Sequence, residues 1–145
     1  MADSTATAKP RRDYRNIHVN DIRKYRLPPA GWVSIGHRIS GVLMFALLPF
    51  VIWLFDVSLT SEISYERFTA AYAAGIGGFP AWFVKLVTLA LIWAYLHHFT
   101  AGVRHLWMDM THSVAKNQGR SSAVATLAIS FVLTVLLGAK LFNVY

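Results

Sequence analysis

The feature that most constrains this chain is a set of three long stretches without a charged side chain. Residues 39–55, 86–103 and 121–139 run for 17, 18 and 19 residues without Asp, Glu, Lys or Arg. A helix needs about 20 apolar residues to cross the roughly 30 Å hydrocarbon core of a bilayer. Together the stretches fill too much of a 145-residue chain to be buried helices of a small soluble domain. The sequence therefore predicts an integral membrane protein.

We predict an all-α fold with three transmembrane helices in an up-down-up bundle. The predicted transmembrane domain is 31–145, with spans at 31–56, 80–109 and 121–142, preceded by a basic cytoplasmic segment at 1–30. In the first connection, Ser64 is expected to cap a short helix that a cluster of glycines ends.

The net charge of +7 is distributed unevenly along the chain. Seven basic residues precede the first span: Lys9, Arg11, Arg12, Arg15, Arg23, Lys24 and Arg26. Lys116 and Arg120 follow the second span, and short flanks rich in Lys and Arg stay on the cytoplasmic side. The pattern places the N-terminus in the cytoplasm of a bacterium or in the matrix of a mitochondrion, and we favour the bacterial inner membrane. It also predicts contact with lipid rather than nucleic acid. The absence of cysteine excludes a disulfide scaffold and a cysteine-ligated iron–sulfur centre.

The second span carries an unusual polar stripe. His98, Gly102, His105 and Asp109 lie within about 40° of one line on a helix. Neutral imidazole is a common axial ligand of haem iron, and small neighbours let a flat macrocycle approach. Arg104 and His105 lie nearer the predicted cytoplasmic end, where haem propionates need cationic partners. The stripe predicts a haem ligand at His98.

Other polar residues on this helix have simpler interpretations. His97 points about 100° away from His98 and is expected to hydrogen-bond to another helix. Asp109 has two open interpretations, an ion pair with Arg104 and a role in proton delivery. His112 is expected to lie in solvent beyond the helix end.

The first span offers a second candidate site. Ser34 and Arg38 are four residues apart and share a helix face with Gly41. Two hydrogen-bond donors beside a glycine suit a small polar headgroup on an apolar body, such as a quinone. The alternative is that Arg38 extends to lipid phosphate and Ser34 bonds to its own helix.

These residues resemble a known family. The motifs Ser34-Ile-Gly-His-Arg-Ile-Ser-Gly41 and His98-Phe-Thr-Ala-Gly-Val-Arg-His-Leu-Trp-Met-Asp109 are similar to those of the cytochrome b subunit of succinate dehydrogenase. That protein is one of the two membrane-anchor subunits of respiratory complex II. The chain departs from many members at Arg15-Asn16 and Val19-Asn20, where a proline-containing segment that contacts the soluble subunits is common.

The resemblance implies specific roles. His98 is expected to ligate haem b, with the second axial histidine supplied by the other anchor subunit. His37, Arg38 and His105 correspond to the haem propionate region, and Ser34 and Arg38 to the ubiquinone site. Asp109 corresponds to an acid near the cytoplasmic boundary.

The resemblance also implies partners. A flavoprotein subunit and an iron–sulfur subunit would deliver electrons from succinate to ubiquinone, so this chain alone holds no complete active site. Three alternatives stay open on the sequence: a structural anchor without haem, a fumarate reductase-type cytochrome b, and a transporter that uses the His/Asp stripe as a proton relay.

Overall fold

A computed structural model describes residues 17–144; residues 1–16 and 145 lie outside that description. Its helices in chain order are α1 (Val19–Lys24), α2 (Pro29–Ala46), α3 (Leu48–Leu59), α4 (Glu62–Ala73), α5 (Ala81–Thr111) and α6 (Lys116–Leu141). The short α1 falls within the predicted basic segment. Four of that segment's basic residues, Lys9, Arg11, Arg12 and Arg15, lie outside the described residues, as does the Arg15-Asn16 departure.

The predicted first span is bent. Helices α2 and α3 meet at Leu47 with an angle of 54° between them. Pro49 stands in the first turn of α3, where it has no N–H to donate to the preceding turn and its ring crowds that turn. The stretch that was expected to be one straight helix over 31–56 is therefore two helices over Pro29–Leu59.

The connection after α3 contains the expected short helix, but Ser61 caps it and Ser64 does not. Ser61 occupies the N-cap position of α4, and its Oγ accepts from the Ser64 N–H at 3.2 Å. Ser64 lies three residues inside, and its Oγ accepts from the Ser61 N–H at 2.9 Å. This reciprocal capping box satisfies two N–H groups that the helix itself leaves free. Gly75, with φ at +103°, then turns the chain away from the helix, as predicted.

Helices α5 and α6 are each long and apolar enough to cross a membrane. The α2–α3 pair meets the same criterion only if the bent pair is taken as one span, so the described residues hold two such elements, or three. The observed α5 extends the predicted 80–109 span to Thr111, and α6 begins at Lys116 rather than at 121. The up-down-up direction, the cytoplasmic N-terminus and the division at residue 30 stay predictions.

Helix α5 packs against both α2 and α6. The core between them is formed by Val33, Ala101 and Ala123, all fully buried, and such small side chains let helix backbones approach closely. Large apolar side chains are instead turned outward, such as Leu106 and Phe131 at 71% and 68% exposure. Exposed apolar side chains on long helices are what a lipid-facing surface requires.

Candidate functional site

His98 lies half-buried on the face of α5 that meets α2. Its Nδ1 is 3.1 Å from the backbone carbonyl oxygen of His37 and 3.2 Å from Oγ of Ser40. The Ser40 hydroxyl itself donates to the same His37 carbonyl at 2.9 Å. Because a carbonyl oxygen can only accept, Nδ1 of His98 must carry the proton and donate it.

This arrangement leaves the lone pair of the neutral His98 imidazole on Nε2. Within residues 17–144, Nε2 has no hydrogen-bond partner. Metal-bound histidines have the same organisation, since their second ring nitrogen donates to a carbonyl, a carboxylate or water and so fixes the tautomer. The donor chemistry at His98 therefore fits an axial ligand of haem iron.

Two further histidines surround His98. The His37 ring stacks on the His98 ring, with centroids 4.0 Å apart and planes 16° from parallel. The His105 ring lies 5.5 Å from that of His37 and is tilted by 56°. These three side chains are not arranged to hold a metal ion between them. The structure thus brings three of the predicted haem-region residues together as a cluster.

The small residues beside this cluster differ in their roles. Gly41 approaches His98 so closely that a Cβ would lie 3.2 Å from Cε1 of the ring. Gly102 is open, because a Cβ there would meet only Nε2 of His37, at 3.9 Å. Ala94 and Ala101, on the same helix, are fully buried in helix packing.

Ser34 and Arg38 lie on α2, next to the cluster in sequence. Ser34 is half-buried and Arg38 is exposed. Neither side chain makes a hydrogen bond or an ion pair with the described part of the chain. The interpretation in which Ser34 bonds to its own helix is therefore not observed.

Arg104 does not lie where the sequence placed it. Its side chain is 92% buried and points toward α6, not toward the histidine cluster. Nε donates to Oγ of Ser122 at 3.0 Å, and Nη2 donates to the carbonyl oxygen of Gly119 at 3.2 Å. Its guanidinium thus binds the start of α6, and in this structure it contacts neither the histidine cluster nor Asp109.

Asp109 and His112 lie at the far end of α5. Asp109 is exposed and has no ion-pair partner among residues 17–144. His112 ends the helix with a left-handed φ of 52° and is exposed, as predicted. Proton delivery through Asp109 stays a prediction.

His97, the neighbour of His98, is 98% buried between helices. Its Nδ1 lies 3.3 Å from Oγ of Ser130 on α6, which is the interhelical hydrogen bond predicted from its direction. Its ring also stacks on Trp93, with centroids 5.5 Å apart.

Ser40 and the His37 carbonyl were missed by the sequence reasoning as parts of the site. Ser40 is fully buried and stands inside the quoted motif, three residues after His37. Its spacing shows that its hydroxyl can reach the His37 carbonyl, but a contact with a residue 58 positions away depends on helix packing. A backbone acceptor has no signal in the side-chain pattern at all.

Comparisons with known proteins identify the family of this chain. A family model described as the succinate dehydrogenase/fumarate reductase transmembrane subunit matches residues 12–137. The succinate dehydrogenase cytochrome b556 subunit of Coxiella burnetii is 33% identical over 118 residues, covering 81% of this chain and 90% of that protein.

Two further relatives carry the same name. The subunit of Paracoccus denitrificans is 30% identical over 115 residues, covering 79% of this chain and 83% of its own length. The subunit of Rickettsia felis is 24% identical over 113 residues, with 78% and 82% covered. By the family match and by these relatives, the chain belongs to the family of succinate dehydrogenase/fumarate reductase transmembrane subunits, as a cytochrome b anchor subunit.

Proposed function

We propose that this chain holds haem b through His98 and helps form the ubiquinone-reduction site of a succinate dehydrogenase in a bacterial inner membrane. The observation that carries the haem assignment is the pair of contacts from Nδ1 of His98 to the His37 carbonyl and to Ser40. They fix the ring and leave the lone pair on Nε2. The names of the relatives, cytochrome b556 subunits, support the same assignment.

The unpartnered Nε2 of His98 supports a ligand shared with another chain. This chain offers one oriented imidazole, with His37 and His105 beside it. A second axial histidine would come from the other membrane-anchor subunit. His37, His105 and the exposed Arg38 are the cations and donors available to the two propionates. When bound, the haem supplies a one-electron redox centre.

Ser34 and Arg38 are proposed to bind the quinone headgroup. Their side chains have no partner within the described chain, so their donors are available to carbonyl oxygens of a ligand. A guanidinium and a hydroxyl aimed at those oxygens stabilise the negative charge that grows on them during reduction.

The remaining chemistry belongs to partner subunits. A flavoprotein subunit would oxidise succinate, and an iron–sulfur subunit would pass the electrons toward the quinone. The basic N-terminal segment and α1 precede the spans on the side predicted to face those subunits. This chain anchors them and positions haem and quinone.

A reduced-minus-oxidised optical spectrum of the purified complex tests the haem assignment. His98→Ala removes the imidazole, so we expect loss of the b-type α band and of pyridine-haemochrome haem from this complex. The matched control is His112→Asn, because His112 is exposed at a left-handed position that Asn tolerates. A normal α band in His98→Ala would contradict the assignment.

A further inference from the structure

His97 and His98 contact α2 at two different sites, and each site is a glycine. A Cβ added to Gly36 would lie 2.5 Å from Nε2 of His97, closer than real Cβ atoms come to any neighbour. A Cβ added to Gly41 would lie 3.2 Å from Cε1 of His98. Two adjacent imidazoles of α5 therefore fit into two gaps along α2. We name this arrangement, formed by His97, His98, Gly36 and Gly41, the histidine fork.

The two gaps lie on different sides of α2. Positions 36 and 41 are five residues apart, which corresponds to about 140° around the helix axis and about 7.5 Å along it. If α5 rotated or slid against α2, one ring of the fork would be driven into the α2 backbone. Close-packed interiors resist such a shift. The fork can thus fix both the rotation and the register of α5.

His97 is a buried histidine with one ring nitrogen that has no hydrogen-bond partner in the described chain. Ser130 donates its hydroxyl to the Leu127 carbonyl at 3.2 Å, so its Oγ accepts from Nδ1 of His97. The lone pair is then on Nε2, the one buried side-chain nitrogen or oxygen without a partner among residues 17–144. An unpartnered buried polar atom is unfavourable, and an apolar side chain would avoid that cost.

A ligand does not account for that lone pair. An apolar groove of about 760 Å³ runs along Trp32, Gly36, His97 and Phe131. Nε2 is nevertheless enclosed against α2, so a molecule in the groove does not reach it in this conformation. The feature that His97 supplies is a flat, rigid ring, held at one end by Ser130 and fitted at the other into the gap at Gly36.

We infer that His97 and Gly36 position the haem ligand. The imidazole of His97, held by α6 and seated against Gly36, keeps α5 in the register that places Nδ1 of His98 on the His37 carbonyl. His97 is thus a positioning residue that acts through the helix pair. The inference rests on the proposed role of His98 as axial ligand.

A double-mutant cycle in the intact complex tests the inference. The four proteins are the wild type, Gly36→Ala, His97→Ala and the double variant. The readouts are the g values of the low-spin haem electron paramagnetic resonance signal, which report the orientation of the axial rings, and the midpoint of thermal unfolding. We expect Gly36→Ala to shift the g values and lower the midpoint, because its methyl group displaces the His97 ring.

In the double variant the clash is absent, so we expect the substitution at Gly36 to have no further effect once the imidazole is gone. Gly119→Ala is the matched control, because a Cβ there meets nothing within 4 Å. Additive effects, or g values that stay at their wild-type positions in Gly36→Ala and His97→Ala, would overturn the fork as a positioning device. A wild-type complex without a haem signal would instead overturn the proposed function.

Discussion

The two sides of α5 use the same residue types for opposite purposes. On the side facing α6, His97 and Arg104 are buried, and their donors bind Ser130, Ser122 and Gly119. On the side facing α2, His98 has only one ring nitrogen engaged, by the adjoining helix.

Arg38 lies on α2, near the side of α5 that carries His98. It is exposed and has no partner in the described chain. A polar group whose hydrogen bonds are completed within the chain adds to stability and is unavailable for other chemistry. One that is oriented but incomplete is available to a ligand or to another subunit. The contrast assigns stability to Arg104, on the side of α5 that faces α6, and ligand binding to His98 and Arg38, where α5 meets α2.

The largest expected effect separates the two arginines. Arg38→Leu removes a charged donor from the proposed quinone site, and we expect quinone reduction to fall on the order of 100-fold. Haem should still be bound, because His98 keeps its imidazole and its contacts with the His37 carbonyl and Ser40. Thermal stability should stay at the wild-type level, because Arg38 is exposed and makes no hydrogen bond or ion pair within the described chain. Steady-state kinetics measure quinone reduction, the optical spectrum measures haem content, and thermal unfolding measures stability.

Arg38→Lys is the control for this change, because it keeps the charge and loses the guanidinium geometry. Its rate of quinone reduction should lie between those of the wild type and Arg38→Leu. Unchanged quinone turnover in Arg38→Leu, together with lower stability, would place Arg38 on the structural side of the comparison.

The second effect concerns Arg104. Arg104→Met removes the hydrogen bonds to Ser122 and Gly119, and hydrogen bonds of charged groups contribute about 1.5–3 kcal/mol each. We expect the free energy of unfolding to fall by about 3 kcal/mol, the lower limit for two such bonds, with the haem spectrum retained. Unfolding in detergent micelles measures the loss.

Arg120→Met serves as the comparison for Arg104→Met, because Arg120 is exposed at the same end of α6. If Arg104→Met changed the haem spectrum and left stability intact, the assignment of Arg104 to stability would be wrong.

A smaller effect is expected at Ser40. Ser40→Ala removes one of the two acceptors that hold Nδ1 of His98 and leaves the His37 carbonyl in place. Loss of such a supporting contact weakens metal binding by about tenfold, which haem retention during detergent washing would measure.

Thr126→Val is the matched control for Ser40→Ala, since Thr126 is buried and its hydroxyl bonds only to its own helix, at the Ser122 carbonyl. Equal retention of haem in both variants would show that the Ser40 contact does not support His98.

Much of this architecture can be predicted from the sequence, because it depends on residue types and their spacing along the chain. Charge-free length predicts the spans, and helical periodicity places His97 and His98 in different directions. The hydrogen bond predicted for His97 is present for that reason. The bend at Leu47 was also readable, since Pro49 interrupts the helix ladder, but the apolar run around it favoured one straight span.

Contacts between helices account for what could not be predicted. The side chain of Arg104 is long enough to extend either toward the histidine cluster or toward α6. The position of α6 determines that it binds Gly119. The His37 carbonyl acts through its backbone, which the residue type does not specify. The meeting of Gly36 with His97 depends on the register of two helices 61 residues apart in sequence, set by packing.

A cryo-electron microscopy map of the intact complex tests the central claim most directly. We expect a porphyrin whose iron lies within bonding distance of Nε2 of His98, with Nδ1 still on the His37 carbonyl. We also expect the second axial nitrogen on another subunit. A porphyrin bound through His37 or His105, or lipid in place of a porphyrin, would contradict it.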